Sequence, residues 1–148
     1  MAEIKDVTIR TFKATDLHAL VQIDGKLLGK SRPDYWHQKM EMLEHRPPIA
    51  SLVAEMDGKV VGYITGDASG WEFGIPGTVG WFETIGVDPA YQHHGIASTL
   101  LQEMVANLKK VGVTTIYTLV NWRDWDLLKF LDKAGFGRGD MINLELKV

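Results

Sequence analysis

The residues best suited to chemistry lie in a short polar turn that contains the pattern Gln92-x-x-Gly95-x-Ala97. A strand-like segment ends just before it, at Val87, and a helical pattern begins just after Gly95. Small residues at a helix N-terminus leave backbone N–H groups uncovered, and these donors add to the positive end of the helix dipole. Together they form an anion site suited to phosphate. We therefore predict that this turn holds the pyrophosphate of a nucleotide-containing cofactor.

Two elements must position the turn. The preceding strand is predicted from about Val79 to Val87, and Gly86 inside it indicates a bulge or a close approach by another backbone or a ligand. The following helix has apolar residues on one face at helical spacing and is predicted to end at Gly112. A strand, a turn and a helix in this order would hold the anion site rigidly.

The rest of the chain divides into strands and helices by the same criteria. A first strand begins at Val7, two helices follow Asp16 and Pro33, and Asp57-Gly58 is typical of a hairpin turn between two strands. Residues 67–78 are loop-like. Beyond Gly112 we predict a strand over Val113–Val120, a helix capped by Asp124 or Asp126, and a terminal strand over Met141–Val148.

The predicted order is β-α-α-β-β-β-α-β-α-β. This order indicates an α+β fold: a mixed, largely antiparallel twisted sheet flanked by about four helices, in one domain that spans 1–148. Because the terminal strand could lie at a sheet edge, a monomer and a homodimer both remain open.

Composition excludes several classes of function. The net charge of −3 does not favour sequence-independent nucleic-acid binding. The absence of cysteine excludes disulfides, thiolate metal sites and a cysteine nucleophile. No metal-ligand cluster is visible. The N-terminus lacks the apolar region of a signal peptide, and no apolar run approaches the length of a membrane helix. We expect a cytoplasmic protein that binds neither nucleic acid nor membrane.

In this context the turn resembles the signature of the GNAT superfamily of acyl-CoA-dependent N-acetyltransferases. The matching residues run Val87-Asp88-Pro89-Ala90-Tyr91-Gln92-His93-His94-Gly95-Ile96-Ala97, and the pair Gly135-Phe136 after the last helix is a second mark. The order of elements also matches, so the resemblance covers nearly the whole chain. It implies acetyl-CoA as the donor and transfer of an acetyl group to a primary amine. The acceptor stays open between a small amine, a lysine side chain and a peptide N-terminus.

The resemblance also implies cofactor contacts. Backbone groups of the turn and the helix start would hold the CoA pyrophosphate, with His93 and His94 as further donors or as solvated loop residues. Groups of the preceding strand would bond the pantetheine arm, and Asn121, with Asp124 as its rival, would meet the same arm. The predicted cofactor-binding residues are Ile85, Gly86, Val87, Gln92, His93, His94, Gly95, Ile96, Ala97, Ser98, Asn121 and Asp124.

The amine must lose a proton before it attacks, and Glu83 on the cofactor strand is the best candidate for the base, directly or through water. Glu72 and Asp67 are weaker candidates. Many relatives carry a tyrosine four residues before the glycine of Gly135-Phe136, but here that position is Leu131, which cannot donate a proton to the leaving thiolate. Nothing in the sequence directs Tyr91 or Tyr117 at the sulfur.

Trp36, Trp71 and Phe73 lie where relatives of this fold place their acceptor cleft, and aromatic faces there could hold a cationic amine. Packing in the core or under a long loop is the alternative role of these three side chains. Because Leu131 stands where many relatives carry a tyrosine, a second function remains open for the whole protein: a non-catalytic acyl-CoA-binding sensor or regulatory module.

Overall fold

The computed structural model describes residues 6–68 and 78–148. Its five-stranded sheet has the spatial order β1-β2-β3-β4-β5. Neighbouring strands are antiparallel up to β4, and β5 runs parallel to β4. The strands are β1 (Val7–Thr11), β2 (Leu52–Met56), β3 (Lys59–Asp67), β4 (Val79–Val87) and β5 (Thr115–Tyr117).

The α-helices within the described residues are α1 (Leu17–Leu28), α2 (Pro33–Glu44), α3 (Ile96–Lys110) and α4 (Trp125–Lys133). Residues with known positional preferences explain several helix boundaries. Gly29 ends α1 with a left-handed φ of 77°, and Pro33 is the first residue of α2. The Asp124 carboxylate accepts a hydrogen bond from the Leu127 N–H, so Asp124 rather than Asp126 caps α4. None of these helices is long and apolar enough to cross a membrane.

The two faces of the sheet carry different helices. On one face α3 packs its fully buried residues Leu100, Met104 and Leu108 into the main core. On the other face Leu20 and Ile23 of α1 and Trp36 of α2 form a smaller core. Alternate residues of β3 serve the two cores: Tyr63 belongs to the smaller core and Ile64 to the main one. The anion turn at the start of α3 therefore lies on the opposite face from α1 and α2.

Strand β4 is paired on both sides for only part of its length. Its parallel pairing with β5 runs from Val79 to Trp81 and then ends. Its antiparallel pairing with β3 continues to Val87, with a register shift that leaves Glu83 as an extra residue, a β-bulge. From Glu83 to Val87, β4 has no strand partner on the β5 side within the described residues, so one backbone edge is free.

The bulge predicted at Gly86 lies instead at Glu83, and the close approach at Gly86 is made by a side chain rather than by another backbone or a ligand. Gly86 is paired with Tyr63 of β3, and a Cβ at Gly86 would lie 2.6 Å from the Cζ and Oη atoms of Tyr63. The Tyr63 ring therefore covers the Gly86 backbone, and no residue larger than glycine fits there without displacing a buried ring.

The C-terminal part of the chain differs from the prediction. Strand β5 covers three residues instead of Val113–Val120, and residues 141–148 form no strand. The apolar–polar alternation of 141–148 is real, but alternation predicts only that a strand can form and does not supply a neighbour for it to pair with. The order of elements therefore ends at α4, while the α+β class and the mixed sheet are confirmed.

Candidate active site

The anion turn has the geometry of a helix N-terminal site. Gly95 caps α3 with a left-handed φ of 78°, and the Thr99 amide makes the first helical bond to the Gly95 carbonyl. The amides of Ile96, Ala97 and Ser98 precede that bond, so they have no carbonyl one turn earlier in the helix. His93 also has a positive φ, 67°, which is uncommon for a residue with a side chain and marks a strained loop.

Asp88 and Gln92 brace the turn from behind. The buried Asp88 carboxylate accepts hydrogen bonds from the Ala90 amide at 3.0 Å and from Lys26 Nζ of α1 at 2.9 Å. The Gln92 amide group donates to the carbonyl of Val87, where β4 ends. Burial raises the pKa of Asp88, but the hydrogen bonds from Lys26 and the Ala90 amide lower it by a larger amount, so the pKa lies below its usual value.

A cavity of about 670 Å³ runs from this turn along the free edge of β4 to the space under α1 and α2. Its volume falls in the range of small-molecule sites. One wall is β4 itself, and the opposite wall comes from Thr118 and Leu119 after β5 and from α4. The separation of β4 from β5 therefore opens the sheet into a cleft, and backbone groups of β4 lie along it.

The far end of the cavity carries a buried charge and a phenol. Asp24 of α1 is 4% exposed and accepts two hydrogen bonds from Arg32, at 2.7 and 3.0 Å. Burial raises the pKa of Asp24, but Arg32 lowers it by more, so Asp24 is ionised at neutral pH. Tyr63 is 3% exposed, and no described residue hydrogen-bonds its hydroxyl. Burial and the charge of Asp24 raise the pKa of Tyr63, so its phenol stays protonated.

Glu83 also lines the cavity, but it is not a free carboxylate. One oxygen accepts a hydrogen bond from Arg46 Nη1 at 2.7 Å and the other accepts one from Lys39 of α2. Arg46 Nε in turn lies 3.3 Å from the carboxylate of Asp67. Burial raises the pKa of Glu83, but Lys39 and Arg46 lower it by a larger amount, so Glu83 remains ionised well below neutral pH.

Most of the predicted site residues do meet at this cavity. His94 and Asn121 do not line it; His94 is half-buried, and the exposed Asn121 accepts a hydrogen bond from the Arg123 amide. Trp36 reaches the cavity wall but is 1% exposed, packed edge-on against Tyr35 and Tyr63. Trp71 and Phe73 lie outside the described residues. The predicted residues that line the cavity are Trp36, Glu83, Ile85, Gly86, Val87, Gln92, His93, Gly95, Ile96, Ala97, Ser98 and Asp124.

Sequence reasoning missed Tyr63, Asp24 and Arg32. A signal existed for Asp24, since it lies beside Ile23 within the apolar pattern of α1, where a carboxylate has to be paired. Tyr63 could have been found only with the β3–β4 register, which places its ring over Gly86. Leu131, at the position where relatives carry a tyrosine, is 4% exposed and belongs to the main core.

Comparisons with known proteins agree with this architecture. Residues 17–136 match the model of the Acetyltransferase (GNAT) family. An N-alpha-acetyltransferase from Sulfurisphaera tokodaii is 30% identical over 141 residues, which cover 89% of this chain and 81% of the relative.

Two solved structures show the same fold. Ard1 from Thermoplasma volcanium superposes with a TM-score of 0.77 at 20% identity, covering 89% of this chain and 83% of that one. The aminoglycoside N-acetyltransferase AAC(6')-Iy in complex with CoA superposes with a TM-score of 0.78 at 18% identity, covering 95% and 94%.

The fold and the matched family define an acyltransferase enzyme. The chain belongs to the GNAT family of acetyltransferases, as its turn between a strand and a helix had predicted.

The Asp88 bracing leads to a pH-dependent prediction. Asp88→Asn should lower the free energy of unfolding by about 1–3 kcal/mol at pH 7, because a buried charge-assisted hydrogen bond is lost. The pKa of Asp88 is lower in the folded protein than in the unfolded chain, so ionisation of this carboxyl stabilises the fold. The contribution is complete above the unfolded pKa of about 4 and disappears as the pH falls through the folded pKa. We therefore expect the free energies of unfolding of the wild type and of Asp88→Asn, measured by chemical denaturation, to converge as the pH is lowered from 7 to 3.

The matched control for this experiment is Asp132→Asn, which alters an exposed carboxylate on α4 and should change stability by less than about 0.5 kcal/mol. A constant difference between Asp88→Asn and the wild type over the whole pH range would contradict the assigned role of the Asp88 charge.

Proposed function

We propose that the protein transfers the acetyl group of acetyl-CoA to a primary amine by direct attack of the amine on the thioester. The observation that carries the proposal is the continuity of one cavity. It joins an anion site at the start of α3, the free edge of β4, and a pocket under α1 and α2 that holds ionised carboxylates. A long donor and a separate amine could meet only at the middle of this path.

The residues that line the cavity fit two parts of CoA, the pyrophosphate and the pantetheine arm. The uncovered amides of Ile96, Ala97 and Ser98 suit a pyrophosphate, and the Ala97 side chain is small enough to let its oxygens approach. The free backbone edge from Glu83 to Val87 can bond the amides of a pantetheine arm, as a further strand would. Asp124 lines the opposite wall and Asn121 does not, so Asp124 is the better candidate for a contact with that arm.

We assign the acceptor to the pocket under α1 and α2. Asp24 and Glu83 place ionised carboxylates there, and although Arg32, Lys39 and Arg46 balance their charge, carboxylate oxygens can still accept hydrogen bonds from the N–H groups of an amine. The relative from Sulfurisphaera tokodaii is named an N-alpha-acetyltransferase, which favours a peptide N-terminus as the acceptor.

In the proposed reaction the amine nitrogen bonds to the acyl carbon, the carbon–sulfur bond breaks, and the amine proton is lost. Glu83 is ionised and lines the path, so it can accept this proton through a water molecule. The Tyr63 phenol is protonated and lies over Gly86 of β4, so it can donate a hydrogen bond to the negative charge that develops on oxygen or sulfur. Tyr63 would thus supply a hydrogen-bond donor where Leu131 supplies none, and CoA would leave as the thiolate and take its proton from water.

The whole proposal can be tested with purified protein, acetyl-CoA and three acceptors. These are a peptide with a free N-terminus, an N-terminally blocked peptide that contains lysine, and an aminoglycoside. We expect release of free CoA thiol with the first acceptor at the highest kcat/KM. No thiol release with any of the three would contradict the proposed activity.

The pyrophosphate site is tested by Ala97→Glu. A carboxylate beside the start of α3 should weaken CoA binding roughly 10- to 100-fold, because it repels the pyrophosphate at short range. Isothermal titration calorimetry measures the Kd. Gln102→Glu adds the same charge at an exposed position on α3 and should leave the Kd within about twofold of the wild type. Equal effects of the two variants would contradict the location of the site.

The role of Glu83 is tested by Glu83→Gln, which keeps the shape of the side chain and removes its charge. We expect kcat for the peptide amine to fall by about 100-fold or more while the Kd of CoA is unchanged. Asp67→Asn is the matched control, since it removes the other carboxylate that contacts Arg46 and should retain kcat. Thermal denaturation of both variants checks that each is folded. Equal kcat for Glu83→Gln and the wild type would rule out the base.

Tyr63→Phe removes only the hydroxyl and leaves the ring that covers Gly86. We expect kcat to fall about 10- to 100-fold, with little change in the Kd of CoA or in the melting temperature, because a hydrogen bond to the transition state is lost. Steady-state kinetics with the best acceptor make this measurement. An unchanged kcat would show that the phenol only packs, and a raised KM alone would make it a binding group.

A further inference from the structure

A pair of threonine hydroxyls lies close to the two groups that we assign to the proposed reaction. Thr65 of β3 is paired with Thr84 of β4, and their Oγ1 atoms lie 2.8 Å apart. Two residues along the same ladder, and so on the same face of the sheet, Tyr63 is paired with Gly86. Because Thr84 directly follows Glu83 in the chain, it stands between the proposed base and the Tyr63 phenol along β4.

The two hydroxyls differ in their access to the cavity. Thr84 is half-buried and lines the cavity wall, beside Glu83. Thr65 does not line the cavity and is 2% exposed, so its hydroxyl is shielded from solvent. Among the residues that the structure describes, the Thr65 hydroxyl has the Thr84 hydroxyl as its one hydrogen-bond partner. The pair therefore consists of one buried hydroxyl and one that a bound molecule can reach.

Burial decides which of the two hydroxyls donates the hydrogen bond. If Thr84 donated, the Thr65 O–H would be buried without an acceptor, and an unpaired buried donor is costly. If Thr65 donates, its own O–H is satisfied and the Thr84 O–H is free to turn into the cavity. A threonine hydroxyl has one donor position and two acceptor positions. Thr84 therefore accepts from Thr65 and keeps its proton for a molecule in the cavity.

We propose that the Thr84 hydroxyl donates a hydrogen bond to the thioester oxygen of acetyl-CoA, and that Thr65 orients the Thr84 hydroxyl for this contact. The inference rests on the proposed acetyl transfer. When the amine nitrogen bonds to the acyl carbon, the electron pair of the carbon–oxygen π bond moves onto the oxygen. The π bond forms again when the carbon–sulfur bond breaks and the thiolate leaves. A donor that already points at the oxygen stabilises the negative charge while it lasts.

The direction of the proposed donor site explains why Thr84 serves the oxygen and Tyr63 the sulfur. The anion turn follows Val87, so a pantetheine arm that starts there runs along β4 toward Glu83. Along this path the sulfur comes before the acyl carbon. The Tyr63 phenol lies over Gly86, on the side of the sulfur, and Thr84 lies two residues closer to the acyl end. Glu83 comes next, where it can take the amine proton through water.

The first test measures binding alone, without an amine, by isothermal titration calorimetry. The two ligands are acetyl-CoA and S-ethyl-CoA, which has the same carbon chain but lacks the carbonyl oxygen. We expect the wild type to bind acetyl-CoA roughly three- to tenfold more tightly than S-ethyl-CoA, because one hydrogen bond is gained. Thr84→Val keeps the shape of the side chain and should lose most of this preference, while Thr84→Ser should keep it.

A preference for acetyl-CoA that is equal in the wild type and in Thr84→Val would overturn the contact with the thioester oxygen. This comparison needs no turnover. A protein without acetyltransferase activity would therefore contradict the proposed function, and the binding data would still decide the role of Thr84.

The second test separates the contact made by Thr84 from the positioning by Thr65. Thr84→Val should lower kcat roughly 10- to 100-fold and leave the Kd of free CoA, which has no acyl oxygen, unchanged. Thr65→Val should lower kcat less, by roughly three- to tenfold, because the Thr84 hydroxyl is still present but no longer oriented. The double variant should be no slower than Thr84→Val, since Thr65 acts only through Thr84.

Thr8→Val is the matched control, because it removes an exposed hydroxyl from β1 and should retain the kcat of the wild type. Melting temperatures check that every variant is folded. An unchanged kcat for Thr84→Val would overturn the contact. If Thr65→Val slowed the Thr84→Val protein as much as it slows the wild type, Thr65 would act independently of Thr84, and the positioning role would be overturned.

Discussion

The active-site cavity exists because the pairing between β4 and β5 ends early. Their parallel ladder covers only Val79–Trp81, and from Glu83 onward this edge of β4 has no strand partner among the residues that the structure describes. Buried backbone polar groups require partners, so such an edge is a binding site for an extended molecule that carries amide groups. The helix N-terminus at Gly95 adds an anion site at the end of the same edge. The donor site that we propose would therefore be built mainly from backbone groups, with small side chains that leave them accessible.

Ion pairs between the first two helices and the sheet shape the other half of the site. Lys26 of α1 reaches Asp88 below the anion turn, and Lys39 of α2 reaches Glu83 in the middle of β4. These acids keep lowered pKa values although they are buried or half-buried, so they are ionised at neutral pH. The pairing keeps Glu83 ionised in the proposed acceptor pocket, but it also engages both oxygens of Glu83. For this reason the proposed proton transfer passes through water.

Local signals predicted much of this architecture. The Asp57-Gly58 turn and the start of α3 after Gly95 each depend on residues close in sequence, and both predictions were correct. For the cap of α4, the sequence left Asp124 and Asp126 open, and the structure selects Asp124. The cover of Gly86 by Tyr63 and the ion pair of Glu83 with Lys39 join distant parts of the chain, and they follow only from strand register and helix placement. Residues 141–148 show the converse case, because their alternation is a true strand pattern whose partner no local signal can identify.

In the arrangement that we propose, acetyl-CoA binds along the free edge of β4 with its pyrophosphate at the start of α3. Amide hydrogen exchange with and without CoA tests it most directly, because it reports on the backbone groups themselves. We expect CoA to slow exchange at Ile85–Val87 and at Ile96–Ser98 and to leave the β1–β2 pairing unchanged. Protection confined to other parts of the chain, or none at all at saturating CoA, would contradict the claim.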